Sequence, residues 1–310
     1  AESGPGERPL APGLPVGGFT SSRQCQECHP AIYREWEADE HATAWTGENF
    51  LTYTEQYRQV ECLSCHAPKP MLEVGIMKEP QVREEQRGEG VSCLSCHLKG
   101  GKAHGTLGSH SVCSGTPEPD LKTSQACFHC HSTHNLFKEY LASGQYKQGL
   151  QCQDCHMKSV ERPVAVGGPA RKTRSHLMHG GGHDVETLKK VLTLELAAAG
   201  AELKVTVANI GAAHGVPGEI NNRVIRLEVS IFAPRADAQD PKTNADYDEV
   251  EAYEYLFRAP PRKARNIIPS TQLLPGQPKV LTFPLPPKSS KVVAKLQYKL
   301  EPFILHDNAV

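Results

Sequence analysis

The sequence has no run of 18 or more apolar residues, so hydropathy offers no membrane-spanning helix. It has no excess of positive charge: 34 Lys and Arg stand against 35 Asp and Glu, a formal net charge of -1. That leaves no basic footprint for a nucleic-acid partner. Apolar residues make up 38% of the chain and aromatic residues 6%, against 26 Gly and 24 Pro. A core built from protein alone would be thin. No signal peptide is visible, and the opening Ala1-Glu2-Ser3-Gly4-Pro5-Gly6 reads as a mature terminus left by cleavage. Cysteine is nearly absent outside one repeated motif, which uses ten of the 11 and leaves Cys113 over. Cys113 is either an idle thiol or, in an exported protein, one half of an intermolecular disulfide.

The motif is Cys-x-x-Cys-His, present five times: Cys25 to His29, Cys62 to His66, Cys93 to His97, Cys127 to His131 and Cys152 to His156. It is the attachment pattern of c-type haem. In that chemistry the two thiols become thioethers to the haem vinyl groups and the histidine binds the iron. A single Cys-x-x-Cys also fits zinc or thiol redox chemistry; five copies, each followed directly by His, point to five covalent haem c groups. Ten cysteines are then attachment points (Cys25, Cys28, Cys62, Cys65, Cys93, Cys96, Cys127, Cys130, Cys152 and Cys155), and His29, His66, His97, His131 and His156 are proximal iron ligands. Apolar porphyrin plates repair the lean core, and folding of this half should depend on their insertion. Haem attachment of this kind takes place outside the cytoplasm, which implies a periplasmic or extracellular protein.

The chain divides by texture. Residues 1–24 are rich in Pro and Gly and read as a flexible arm. Residues 25–185 carry every motif, with starts 37, 31, 34 and 25 residues apart. That spacing leaves room for short helices and brings neighbouring porphyrins near contact. Pro30 to Ala38 reads as a short amphipathic helix with Ile32, Tyr33 and Trp36 on one face, and Asn135 to Leu141 as another. From 186 to 310 the pattern alternates. Val191 to Leu196, Leu203 to Val207, Val224 to Val229, Glu249 to Phe257, Val280 to Leu285 and Val292 to Tyr298 read as strands between Gly and Pro turns. The expected class is α+β: a pentahaem domain of short helices and loops, a Gly180-Gly181-Gly182 linker, then an immunoglobulin-like β-sandwich.

Ten further histidines are available as second iron ligands: His41, His104, His110, His129, His134, His176, His179, His183, His214 and His306. The count permits bis-histidine ligation at every iron. His41 follows His29 by 12 residues, which on a helix is about 18 Å of rise, too far to reach the other face of the same haem; it is expected on a neighbouring one. His134 would share a helix face with His131 and so serves another haem or none. His129, inside a motif loop, reads as a bystander. His104 follows the Gly100-Gly101 hinge and is expected to ligate, with His110 its competitor. The group His176, His179 and His183 reads either as a zinc site or as one haem ligand, His176, with two spares. Met71, Met77, Met157 and Met178 read as packing or surface residues, and His306 as a surface one.

Cys25-Gln26-Glu27-Cys28-His29-Pro30-Ala31-Ile32-Tyr33-Arg34-Glu35-Trp36, running on to His41, resembles the cytochrome c554 family of multihaem cytochromes. Gly90 to His97 with His104, and Cys152 to Met157, resemble it as well. Val207 to Gly218 with Arg223 resembles a segment in the β-domain of related proteins, where the histidine sits in a loop that reaches a haem. The resemblance covers most of 25–232. It implies bis-histidine haems in stacked pairs serving electron transfer, and it implies His41, His104, His176 and His214 as distal ligands. The family's prototype has four haems and no β-domain, whereas this chain has five motifs, so ligand pairing does not carry over.

Three functions follow as expectations. The first is an electron carrier, not an enzyme, whose partners are redox proteins docking at exposed haem edges. The second is a reductase or oxidase of a small nitrogen or sulfur compound with one open haem; no Cys-x-x-Cys-Lys occurs to mark one. The third is a subunit of an extracellular cytochrome filament, partnered by copies of itself.

Overall fold

The computed structural model describes residues 18–107, 113, 115–132, 135–178, 180, 185–218, 222–238, 242–260 and 269–300. They fall into two compact units, the first from residues up to 132 with 151–178, the second from 135–150 with 180–300.

In the first unit each motif winds into a helical turn. Val60–His66, Cys93–His97, Gln125–His131 and Cys152–His156 are helices that end on the motif histidine. In the first motif the helix Arg23–Gln26 is prolonged by His29 N–H donating to Cys25 O at 2.8 Å. Residues three and four apart share a helix face, so both thiols and the imidazole of a motif project to one side. The expected helix at Pro30 is Pro30–Glu37, with Tyr33 buried. Two small hairpins complete the unit: β1 (Leu98–Lys99) with β2 (Lys102–Ala103), and β3 (Ser159–Pro163) with β4 (Ala170–Arg174). The apolar cluster is slight: Trp45, Phe50 and Ala67, with Tyr57, Cys62 and Leu63 against them.

The expected flexible arm to residue 24 is corrected at its end. Phe19 and Ser22 are buried. The Ser21 hydroxyl and the Ser22 N–H both donate to the Glu89 carboxylate, which builds residues 18–24 into the unit. Residues 1–17 lie outside the described residues.

The second unit holds the six expected strands: β5 (Leu192–Ala199), β6 (Glu202–Asn209), β7 (Arg223–Pro234), β8 (Tyr247–Phe257), β9 (Lys279–Pro284) and β10 (Lys291–Leu300). They form two three-stranded antiparallel sheets, ordered β5-β6-β9 and β10-β7-β8. Alternate residues of β6 and β7 point to one core: Leu203, Val205 and Val207 with Ile225, Leu227, Val229 and Ile231, joined by Val216, Phe257 and Leu273. The helices Leu136–Ala142 and Gly144–Lys147 belong here, although the sequence expectation put 25–185 in one domain. The reason is polar: Gln145 Nε2 donates to Gly211 O at 3.0 Å, and Gly215 N–H to Glu139 Oε2 at 2.7 Å. Among the described residues no helix is long and apolar enough to cross a membrane.

Candidate functional site

The motif helices of the first unit are brought edge to edge. Cys25 lies beside Cys93 and Cys127 beside Cys152, and Cys65 Sγ is 3.9 Å from Cys130 O. Two of these junctions are built alike. Cys93 N–H donates to Ser22 Oγ at 3.1 Å, and Cys152 N–H to Ser124 Oγ at 2.9 Å. Ser22 and Ser124 each stand three residues before the first cysteine of their own motif. A serine ahead of one motif thus accepts the first N–H of another motif's helix, one of the donors a helix start leaves unpaired, and the first motif meets the third as the fourth meets the fifth. The sequence carried the signal, Ser-x-x-Cys twice, but not the partner.

The imidazoles are held in one consistent way. His29 Nδ1 faces Val164 O at 2.7 Å, His66 Nδ1 faces Ala44 O at 2.6 Å, and His97 Nδ1 faces His104 O at 2.6 Å. Among the other candidates, His104 Nδ1 faces Thr116 O at 3.0 Å, His176 Nδ1 faces Arg174 O at 3.2 Å, and His214 Nδ1 faces Gly215 O at 3.0 Å. His41 Nδ1 instead meets a carboxylate, Asp39 Oδ1, at 2.8 Å. An acceptor at Nδ1 fixes the proton there and leaves the Nε2 lone pair for a metal. Burial helps: it pushes His176 down to about 4 and His97 and His214 below the usual imidazole range, so all three stay neutral.

Two pairs of rings lie near each other. His41 and His131 have centroids 6.3 Å apart with planes at 90°, and His97 and His176 have centroids 6.2 Å apart with planes at 37°. Imidazoles bound through Nε2 to opposite sides of one metal, with bonds of about 2 Å, have ring centres about 6 Å apart. The separations fit one iron between each pair. Cys127 and Cys130 belong to the helix that ends on His131, and Cys93 and Cys96 to the one that ends on His97.

Residues overlooked in the sequence hold these rings. Asp39, 3% exposed, accepts the His41 N–H at 2.9 Å and, on its other oxygen, the Met178 N–H at 2.8 Å. Burial alone would raise the Asp39 carboxyl, but the hydrogen bonds from His41 and Met178 bring it below the ordinary carboxylate range. Glu35 Oε2 accepts the His176 N–H at 2.8 Å and Glu35 takes a two-pronged contact from Arg162 at 2.5 and 2.7 Å. Burial opposes ionisation of Glu35 too, yet Arg162 and the His176 N–H hold its carboxyl low. Behind His41, Val91 N–H donates to His41 O at 2.8 Å, and a Cβ on Gly90 would lie 2.2 Å from that oxygen. Phe50 stacks on the His66 ring at 3.9 Å.

The remaining expectations fall as follows. His104 is buried, with Gly115 so near that a Cβ there would lie 2.6 Å from the ring. His156 ends the fifth motif helix. His214 stands in the loop after β6, in the second unit. His129 is buried, its Nδ1 faces Ile76 O at 3.2 Å, and its Nε2 has no hydrogen-bond partner among the described residues. His110, His134, His179, His183 and His306 lie outside the described residues. Met71 is buried in packing and Met77 is exposed. Among the described residues no group of three or more His, Cys, Asp or Glu forms an ion site of its own.

Residues 24–98 match the family model described as Cytochrome c554 and c-prime, a stretch that takes in the first three motifs. No curated protein matches the chain. The fold is similar to the crystal structure of a penta-heme cytochrome c552 from Thermochromatium tepidum, with a TM-score of 0.62 and 20% identity over 91% of this chain and 92% of that one.

Proposed function

The chain is a multihaem c-type cytochrome, and on that premise we propose that it is an electron carrier with five covalent haems, working outside the cytoplasm. The haems supply one-electron couples. The chain holds them: ten cysteines by thioether, and His29, His66, His97, His131 and His156 as proximal ligands. His41 together with His131 would hold one haem iron, and His176 together with His97 another. His104, His134 and His214 are the distal ligands of the other three, without assigned partners. Ligation by two neutral imidazoles closes both faces of an iron and favours electron transfer over substrate binding.

What carries this reading is the spacing of the two neighbouring ring pairs, 6.3 and 6.2 Å. The abutting motifs support rings close enough to pass electrons along. The two sheets of the second unit, sharing one core, support an immunoglobulin-like sandwich. Partners are redox proteins docking at haem edges.

The test combines two measurements on the natively matured protein. Intact mass should exceed that of the bare chain by five haems. Low-temperature paramagnetic resonance of the oxidised form should integrate to low-spin iron throughout. A mass equal to the bare chain ends the reading; a stoichiometric high-spin iron that binds carbon monoxide when reduced replaces the carrier with an enzyme.

A further inference from the structure

Eight histidines have a described Nδ1 contact, and seven of them share one device. His29, His66, His97, His104, His129, His176 and His214 each turn Nδ1 to a neutral backbone carbonyl, and Glu118 Oε1 lies 3.7 Å from His104 Nδ1, beyond hydrogen-bond reach, whereas His41 Nδ1 is hydrogen-bonded to the carboxylate of Asp39 at 2.8 Å. That carboxylate is buried and takes three N–H groups: the His41 ring, the His41 backbone and the Met178 backbone. Among the described residues no Lys or Arg pairs with it, so its charge is turned on the imidazole.

We propose that Asp39 is a potential-setting residue: through its bond to His41 it makes the haem shared by His41 and His131 harder to reduce than a carbonyl acceptor would. This rests on the reading above and names which of the five haems is so tuned and by which side chain. A charge-assisted bond to Nδ1 is about twice as strong as a neutral one and raises the basicity of the ligand nitrogen. A more basic nitrogen donates more density to iron and favours Fe(III). When the single electron supplied by a reduced partner protein turns that Fe(III) to Fe(II), Asp39 and His41 exchange no proton and break no bond. Asp39 acts only through the energy difference between the two oxidation states. The same carboxylate holds the Met178 N–H, two residues beyond His176. It therefore also fixes the segment that carries the ligand paired with His97, but by geometry and not by charge on the ring.

Asp39→Asn keeps the size and removes the charge. Removing partners of this kind changes metal binding about 10–100-fold. A tenfold shift in the oxidised-to-reduced ratio of one haem, 59 mV for a one-electron couple, is therefore expected, upward in potential. It is read by redox titration followed by paramagnetic resonance, on the signal that His41→Ala abolishes. Asp39→Glu should restore part of the shift, and the signal lost in His176→Ala should keep its midpoint. An Asp39→Asn protein with all irons low-spin and no midpoint moved, or with all moved equally, overturns the proposal and leaves the carrier reading standing. A wild type lacking low-spin haems overturns the carrier reading itself. Should the variant fail to mature, the reduced wild type labelled with ¹⁵N-histidine decides. One axial Nδ1 should resonate toward the imidazolate side of the others; coincidence of all of them overturns the proposal.

Discussion

Each of the two pairs of histidines carries a second number, the angle between its planes, 90° for His41 and His131 and 37° for His97 and His176. Imidazole planes at right angles treat the two iron orbitals of π symmetry alike and leave them nearly degenerate; planes closer to parallel split them. Near-degeneracy gives a low-spin resonance with one very large g value, and splitting gives an ordinary rhombic one. The planes are set by the Nδ1 acceptors, Asp39 and Arg174 O, since outer partners orient the ligand. His41→Ala should therefore remove one large-g signal and His176→Ala one rhombic signal, each replaced by a single high-spin iron that binds carbon monoxide on reduction. Loss of the same signal in both variants would mean that the two rings do not serve different haems.

At the scale of elements, the β3–β4 hairpin serves the site by one side chain. Arg162 on β3 grips Glu35 at the end of the helix Pro30–Glu37, and Glu35 holds the His176 N–H. Bonds between charged partners contribute about 1.5–3 kcal/mol each at partly buried sites. Arg162→Ala should lower stability by about 2 kcal/mol, measured by denaturant unfolding of the mature protein. It should also broaden the signal of the His97–His176 haem, a spectral change that a generic loss of stability elsewhere would not cause. This hairpin was invisible in the sequence because Ser-Val-Glu-Arg-Pro and Ala-Arg-Lys-Thr-Arg show no apolar alternation. The six strands of the second unit were legible for the opposite reason: β6 and β7 bury every second residue against one core, and burial writes alternation into the chain. The motif helices were legible because their spacing is chemical. Glu35, Ser22 and Ser124 were not, since each acts on a segment far away in sequence, and Asp39, only two residues before His41, shows its role through burial and the distant Met178 N–H. Likewise, nothing local in Asn135 to Leu141 says that Glu139 will meet the Gly215 N–H.

On the scale of the molecule, the two units differ in what holds them together. The second buries ten apolar residues in one cluster, among them Leu203, Val205, Leu227 and Ile231 at 2% exposure or less. At about 1.5–3 kcal/mol for each side chain fully buried, such a core sustains a small sheet domain unaided. Leu227→Ala should cost it about 2–5 kcal/mol, seen as earlier loss of the strand signal in far-ultraviolet circular dichroism during denaturant unfolding. The first unit has a cluster of only Trp45, Phe50 and Ala67, far too little for its length, and its motif cysteines stand half-buried or exposed in short helices. Helices of five to seven residues such as Cys93–His97 and Gln125–His131 do not hold alone in water. On the proposed reading porphyrins would supply the missing apolar surface, and attachment and folding of this unit would be one event. The full chain made without haem attachment should then keep slow amide exchange in β5 to β10 and lose it in the helices Val60–His66, Cys93–His97 and Cys152–His156. Equal protection in both would show that the first unit folds on its own side chains.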